Sequence, residues 1–158
     1  MQSWSTGKYL TCSKLTRSEL EQLFSTLVAQ NSITDITIES SDLSFLSEDI
    51  LVKSFSRLRY LELSSTNLTT PQLSALFSML KDSTELEELV LVRSILSNVP
   101  AQDLATTLTR LRKAKLEYSY LTTKQCSIIF KEGKQCNDDT MYLSSLLVHI
   151  VTVNHSDL

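Results

Sequence analysis

Glycine is nearly missing from this 158-residue chain: Gly7 and Gly133 are the only two, where average usage would place roughly eleven. A loop that cradles phosphates needs clustered glycines so that backbone N–H groups can approach the anion. These two stand near opposite ends, which excludes P-loop and dinucleotide-binding fingerprints and leaves no cofactor to expect. So little glycine also removes the collagen-like, glycine-linker and disulfide-scaffold classes, and proline is as scarce, with Pro71 and Pro100. Cys12, Cys126 and Cys136 are odd in number and lack zinc-type spacing, which reads as a reduced, cytoplasmic chain with free thiols. There is no excess of basic charge: the net charge is −3, so no electrostatic footprint for nucleic acid is present. Long apolar runs are missing too. Tyr142–Val153, the longest, is interrupted by polar residues and is shorter than the roughly 18 residues a membrane span needs. Met1–Leu10 lacks the basic-then-apolar order of a signal peptide. Without a secretory route, the glycosylation-type triplets Asn67-Leu68-Thr69 and Asn154-His155-Ser156 read as chance matches.

What is abundant is leucine, 28 residues, and serine plus threonine, 41 residues. The leucines recur. LRYLELSSTNL from Leu58, LEELVLVRSIL from Leu86, LRKAKLEYSYL from Leu111 and ITDITIESSDL from Ile33 share one apolar spacing, and LTCSKL from Leu10 supplies a partial copy. Taking Leu10, Ile38, Leu63, Leu91 and Leu116 as the centres gives intervals of 28, 25, 28 and 25 residues, which suggests a two-copy unit of about 53. Within a copy, Leu61 and Leu63 are two apart, as in a strand with one buried face. Leu73, Leu76, Phe77 and Leu80 follow at helical spacing. Thr70 reads as an N-cap with Pro71 at the first helical position, Ser47 caps the helix opened by Glu48 and Asp49, and Pro100 opens the next. One strand plus one helix cannot bury its apolar faces alone, so the copies must stack.

These four aligned copies resemble the leucine-rich repeat family, most closely the long ribonuclease-inhibitor-like repeats also found in NOD-like receptors. The resemblance spans about Leu10–Phe130. It implies an α/β solenoid: a short, curved, right-handed βα array with parallel strands on the concave face and helices on the convex face. Residues 1–134 would form the repeat domain and 135–158 a degenerate terminal repeat or irregular tail. One position departs from the family. Three residues after the centre, where the family usually has Asn or Cys, this chain has Ser13, Ser41, Thr66, Ser94 and Ser119. We read these as a buried hydroxyl ladder bonding the backbone of adjacent copies; Ser94→Ala should then cost about 1–3 kcal/mol.

Catalytic constellations are wanting. The two histidines, His149 and His155, both lie in the tail, and a Ser or Cys nucleophile needs a base held beside it. Asp138-Asp139 reads as a solvated turn, Cys126 as a half-buried helical thiol, and Glu87 and Glu88 as carboxylates pointing to opposite sides of a strand. The expectation is a non-catalytic module that binds a partner protein through the strand face, within a larger receptor or adaptor. A regulator of an enzyme, of inhibitor or GTPase-activating type, is the second reading, with Arg93 as its candidate. The binding candidates are Tyr60, Glu62, Glu88, Val90, Lys113 and Lys115 on the strands, with Arg93 and Tyr118 at strand edges; Tyr and Arg are residue types enriched at interface hot spots.

Overall fold

The computed structural model describes residues 2–5 and 7–133. It is an α/β fold with one open sheet whose six strands follow chain order. β1 (Gln2–Ser5) runs antiparallel to β2 (Tyr9–Ser13). β2, β3 (Asp35–Glu39), β4 (Tyr60–Ser64), β5 (Glu88–Val92) and β6 (Lys113–Glu117) are all parallel. Each parallel strand is followed by one helix: α1 (Arg17–Ala29), α2 (Glu48–Phe55), α3 (Thr70–Leu80), α4 (Ala101–Arg110) and α5 (Thr123–Gly133). The arrangement is compatible with a βα repeat array. The Tyr142–Val153 run, the acidic pair, both histidines, Cys136 and the closing strand expected in 135–158 lie outside the described residues.

Period-2 burial puts Leu61 and Leu63, like Leu89 and Leu91 beside them, at 0% exposure on one sheet face. There they share a core with Leu20 and Phe24 of α1, Phe55 of α2 and Phe77 of α3. All five helices therefore form one layer, each packed chiefly on its neighbours in sequence, and among the described residues the other sheet face carries no helix.

The register corrects the first copy. Cys12, not Leu10, pairs with Ile38, and Leu10 pairs with Ile36. Alignment on leucine alone misses this, because a buried cysteine behaves as a small hydrophobe. The centres are thus Cys12, Ile38, Leu63, Leu91 and Leu116, and the position three residues on is Leu15 in the first copy. Ser13 is a strand residue opposite Glu39, outside any ladder. The other four hydroxyl residues are buried, at 2% (Ser41), 3% (Thr66), 7% (Ser94) and 1% (Ser119). Ser41 Oγ accepts from the Leu15 N–H at 3.0 Å and donates to the Glu39 carbonyl at 2.9 Å. Ser119 Oγ does the same for Ser94 N–H and the Glu117 carbonyl, at 3.4 and 3.2 Å. Ser41→Ala removes the tighter bridge and should lower stability by about 1–3 kcal/mol, read as a lower urea midpoint with unchanged slope.

The 53-residue unit is visible in the helix starts. The cap of α3 is Thr69, one residue before the expected Thr70, because Thr69 and Gln72 close a reciprocal capping box. Thr16 with Glu19 does so 53 residues earlier, and Thr122 with Gln125 53 residues later. The glutamines do more. Gln72 Nε2 reaches the carbonyls of Leu43 and Leu46 in the preceding copy at 2.9 and 2.7 Å, and Gln125 Nε2 reaches those of Leu96 and Val99 at 2.8 and 2.7 Å. The first copy has Glu19 at this position, whose carboxylate has no N–H to donate. That carboxylate accepts from Thr16, whose backbone N–H, more than its hydroxyl, holds the carboxyl below its ordinary range.

Ser54 and Thr107 are a third 53-residue pair, one on α2 and one on α4. Both hydroxyls are buried and have no partner among the described residues. Thr107 is 0% exposed, so Thr107→Val keeps the shape and removes an unpaid desolvation. A gain of about 1 kcal/mol and a melting point raised by about 2–4 °C are expected by calorimetry.

The scarcity of glycine has a backbone consequence. Gly7, with φ +77, turns the chain between β1 and β2. The corner after every parallel strand is also left-handed, yet it is occupied by Lys14, Ser40, Ser65, Arg93 and Tyr118, with φ between 48 and 58. A side chain there costs about 1–2 kcal/mol. The corners are held by bonds from copy to copy, as in Ser40 N–H to the Ser64 carbonyl at 2.9 Å and Arg93 N–H to the Glu117 carbonyl at 2.9 Å.

Candidate functional site

The helix-free sheet face is ordered in rows, because the five parallel strands are in register. One row is Tyr9, Asp35, Tyr60, Glu88 and Lys113; the next is Thr11, Thr37, Glu62, Val90 and Lys115. Six of the eight residues picked from the sequence therefore meet on three adjacent strands, in two rows of three. Arg93 and Tyr118 lie apart from these rows, at equivalent left-handed corners of successive copies.

Electrostatics divide the face. Glu88 is paired with Arg112 and lies 3.7 Å from Lys113. Lys115 bonds Glu117 at 2.8 Å, which raises the lysine's pKa, with a smaller contribution from Glu62 across the sheet. Val90, between Glu62 and Lys115 in register, is only 6% exposed, so it supports the surface more than it forms it. Glu62 takes no ion pair within 4 Å among the described residues. Instead its Oε2 accepts from Tyr60 Oη at 2.5 Å and Thr37 Oγ1 at 3.4 Å. Burial, then the bond to Glu62 and its charge, push the Tyr60 phenol well above its ordinary range, so Tyr60 stays a donor at neutral pH.

Reading the residues singly missed a charge ladder one residue ahead of the strands. Arg59 holds Glu87 at 2.8 and 3.1 Å, and Arg112 Nε lies 3.7 Å from Glu87 while its other arm reaches Glu88. Glu87 and Glu88 thus share one arginine and do not point to opposite sides; the alternation assumed for them fails because β5 begins only at Glu88. The signal was in the sequence, as Arg59, Glu87 and Arg112 each directly precede a strand.

Among the described residues no nucleophile is set beside a base. Cys12 is buried and Cys126 half-buried; both are free thiols, and burial raises both pKa values, which suppresses the reactive thiolate. Among the described residues no cluster of three or more His, Cys, Asp or Glu is placed to hold a metal ion, and no helix is long and apolar enough to cross a membrane. No family model, curated protein or solved structure matches the chain.

Proposed function

We propose that the chain is a leucine-rich-repeat array of the ribonuclease-inhibitor-like kind, and that its helix-free strand face docks a partner protein without catalysis. One observation carries this reading: five in-register strands display Tyr9, Tyr60 and both signs of charge in ordered rows on a face that no helix covers among the described residues. Rigid rows suit recognition, because a side chain held on a strand loses little further freedom on binding. Free Cys12 and Cys126 support a reducing, cytoplasmic setting, and a net charge of −3 supports a protein partner over nucleic acid.

The test uses matched charge reversals on the two faces. Glu62→Lys with Glu88→Lys alters the strand face, while Glu21→Lys with Asp82→Lys alters exposed positions on and beside the helices. With folding verified by circular dichroism, partners captured by the wild type should be retained by the second pair and lost by the first. Loss confined to the Glu21/Asp82 variant would move docking to the helix layer and overturn the reading.

A further inference from the structure

Between β2 and β4 the strand face holds a cleft of about 230 Å³ lined by Tyr9, Leu10, Thr11, Asp35, Thr37 and Tyr60. Tyr9, Asp35 and Tyr60 are register neighbours on three successive strands, so a carboxylate stands between two aromatic residues. With strands about 4.8 Å apart, the two tyrosines originate about 10 Å from each other. Both rings and Asp35 line the same cleft, so a cation seated over Asp35 would have an aromatic ring on either side.

The charges favour such a guest. Asp35 makes no ion pair within 4 Å among the described residues; its carboxylate accepts from Thr34 Oγ1 at 2.5 Å. The nearby cation, Arg59, bonds Glu87 and reaches Asp35 and Tyr9 only through the weaker, longer-range part of its charge interactions. Glu62, in the next row, adds a second negative charge with no ion pair within 4 Å among the described residues, and the phenol bond it receives from Tyr60 enriches that ring in electrons. Tyr9 is 59% exposed, so its ring is free to close over a guest at little cost to the core. The basic end of the same face, Lys113 and Lys115, lies two strands away, which gives a partner's charges a direction.

We propose that this cleft takes a basic side chain, lysine or arginine, of the docked partner, gripped between Tyr9 and Tyr60 and neutralised by Asp35. This deepens the docking proposal and rests on it. The experiment is an NMR titration of the full chain, following the tyrosine ring signals. The probes are N-acetyl-lysine methylamide and N-acetyl-arginine methylamide, with N-acetyl-norleucine methylamide as the uncharged control. Saturable shifts at Tyr9 and Tyr60 are expected with the basic probes alone. The dissociation constant should rise at least fivefold in Asp35→Asn and in Tyr9→Ala, and stay within twofold in Tyr9→Phe, which keeps the ring. Equal shifts from norleucine, or unchanged affinity in both Asp35→Asn and Tyr9→Ala, would overturn the proposal. If the basic probes fail while Glu62→Lys/Glu88→Lys still abolishes partner capture, the docking face stands and only this anchor is lost.

Discussion

Gln72→Glu, a change of one amide to one carboxylate, is expected to destabilise the protein by about 3–5 kcal/mol at neutral pH, a large share of the 5–15 kcal/mol typical of a whole domain. Gln72 is 3% exposed. Its Oε1 accepts from the Thr69 N–H at 2.8 Å, and Glu would keep that bond. Its Nε2 faces the carbonyls of Leu43, Ser44 and Leu46 at 2.9, 3.3 and 2.7 Å. Replaced by an anionic oxygen, that donor becomes an acceptor pressed against acceptors in a water-poor site, and the carbonyls are left without a partner. The effect has a characteristic pH dependence. The introduced carboxyl has an unfolded pKa near 4.3, and the folded site, which disfavours charge, raises it. The penalty is therefore full above the folded pKa and declines as pH falls through it. Below about 4.3 the charge term vanishes, leaving only the lost amide bonds. Urea unfolding between pH 4 and 8 measures this: the gap between variant and wild type should widen with pH. A constant gap would mean that the carboxylate escapes to solvent. Gln125→Glu should behave alike, whereas the equivalent position of the first copy already carries a carboxylate, Glu19, which bonds Thr16.

Phe55→Ala is the second large effect, about 3–5 kcal/mol. Phe55 is 1% exposed and meets Phe24, equally buried, edge to face, with ring centroids 5.6 Å apart and planes at 63°. Truncation loses the transferred area, leaves a cavity between α1 and α2, and removes an aromatic contact worth about 0.5–1.5 kcal/mol. Phe55→Leu retains most of the volume and should cost about 1–2 kcal/mol. Because each helix packs chiefly on its sequence neighbours, the damage should be local. Hydrogen exchange is expected to accelerate in α1 and α2 and to hold in α4. Uniform acceleration across all helices would show that the array unfolds as one unit.

Much of the architecture was legible in the residues because the forces behind it are local or periodic. Leu61 and Leu63 at period two, followed by Leu73, Leu76, Phe77 and Leu80 at helical spacing, determine which side of each element is apolar, and repetition determines that neighbouring copies solve the same problem in the same way. The 53-residue unit was legible too, and with it Ser47 as a cap. The register of the first copy was not: Leu10 and Cys12 both face the core, and only pairing with Ile36 and Ile38 distinguishes them. β1 was not legible either, since nothing in four residues specifies an antiparallel partner.

The candidate site divides along the same line. Choosing Tyr60, Glu62, Glu88, Lys113 and Lys115 needed only alternation along a strand. Pairing them did not follow, because whether Glu88 meets Arg112 or Lys113, and whether Asp35 stands between two tyrosines, depends on residues about 25 positions apart brought together by the sheet. The near-absence of glycine and the surplus of hydroxyls belong to the sequence alone. They determine that turns must be closed by side chains. Only the tertiary structure decided what that demands: lysine, serine, arginine and tyrosine bent into left-handed corners, and glutamines reaching back to hold the copy before. Such conformations are unfavourable for an isolated segment and persist where bonds from the next copy over-determine them. They are properties of the stack, and no single repeat contains them.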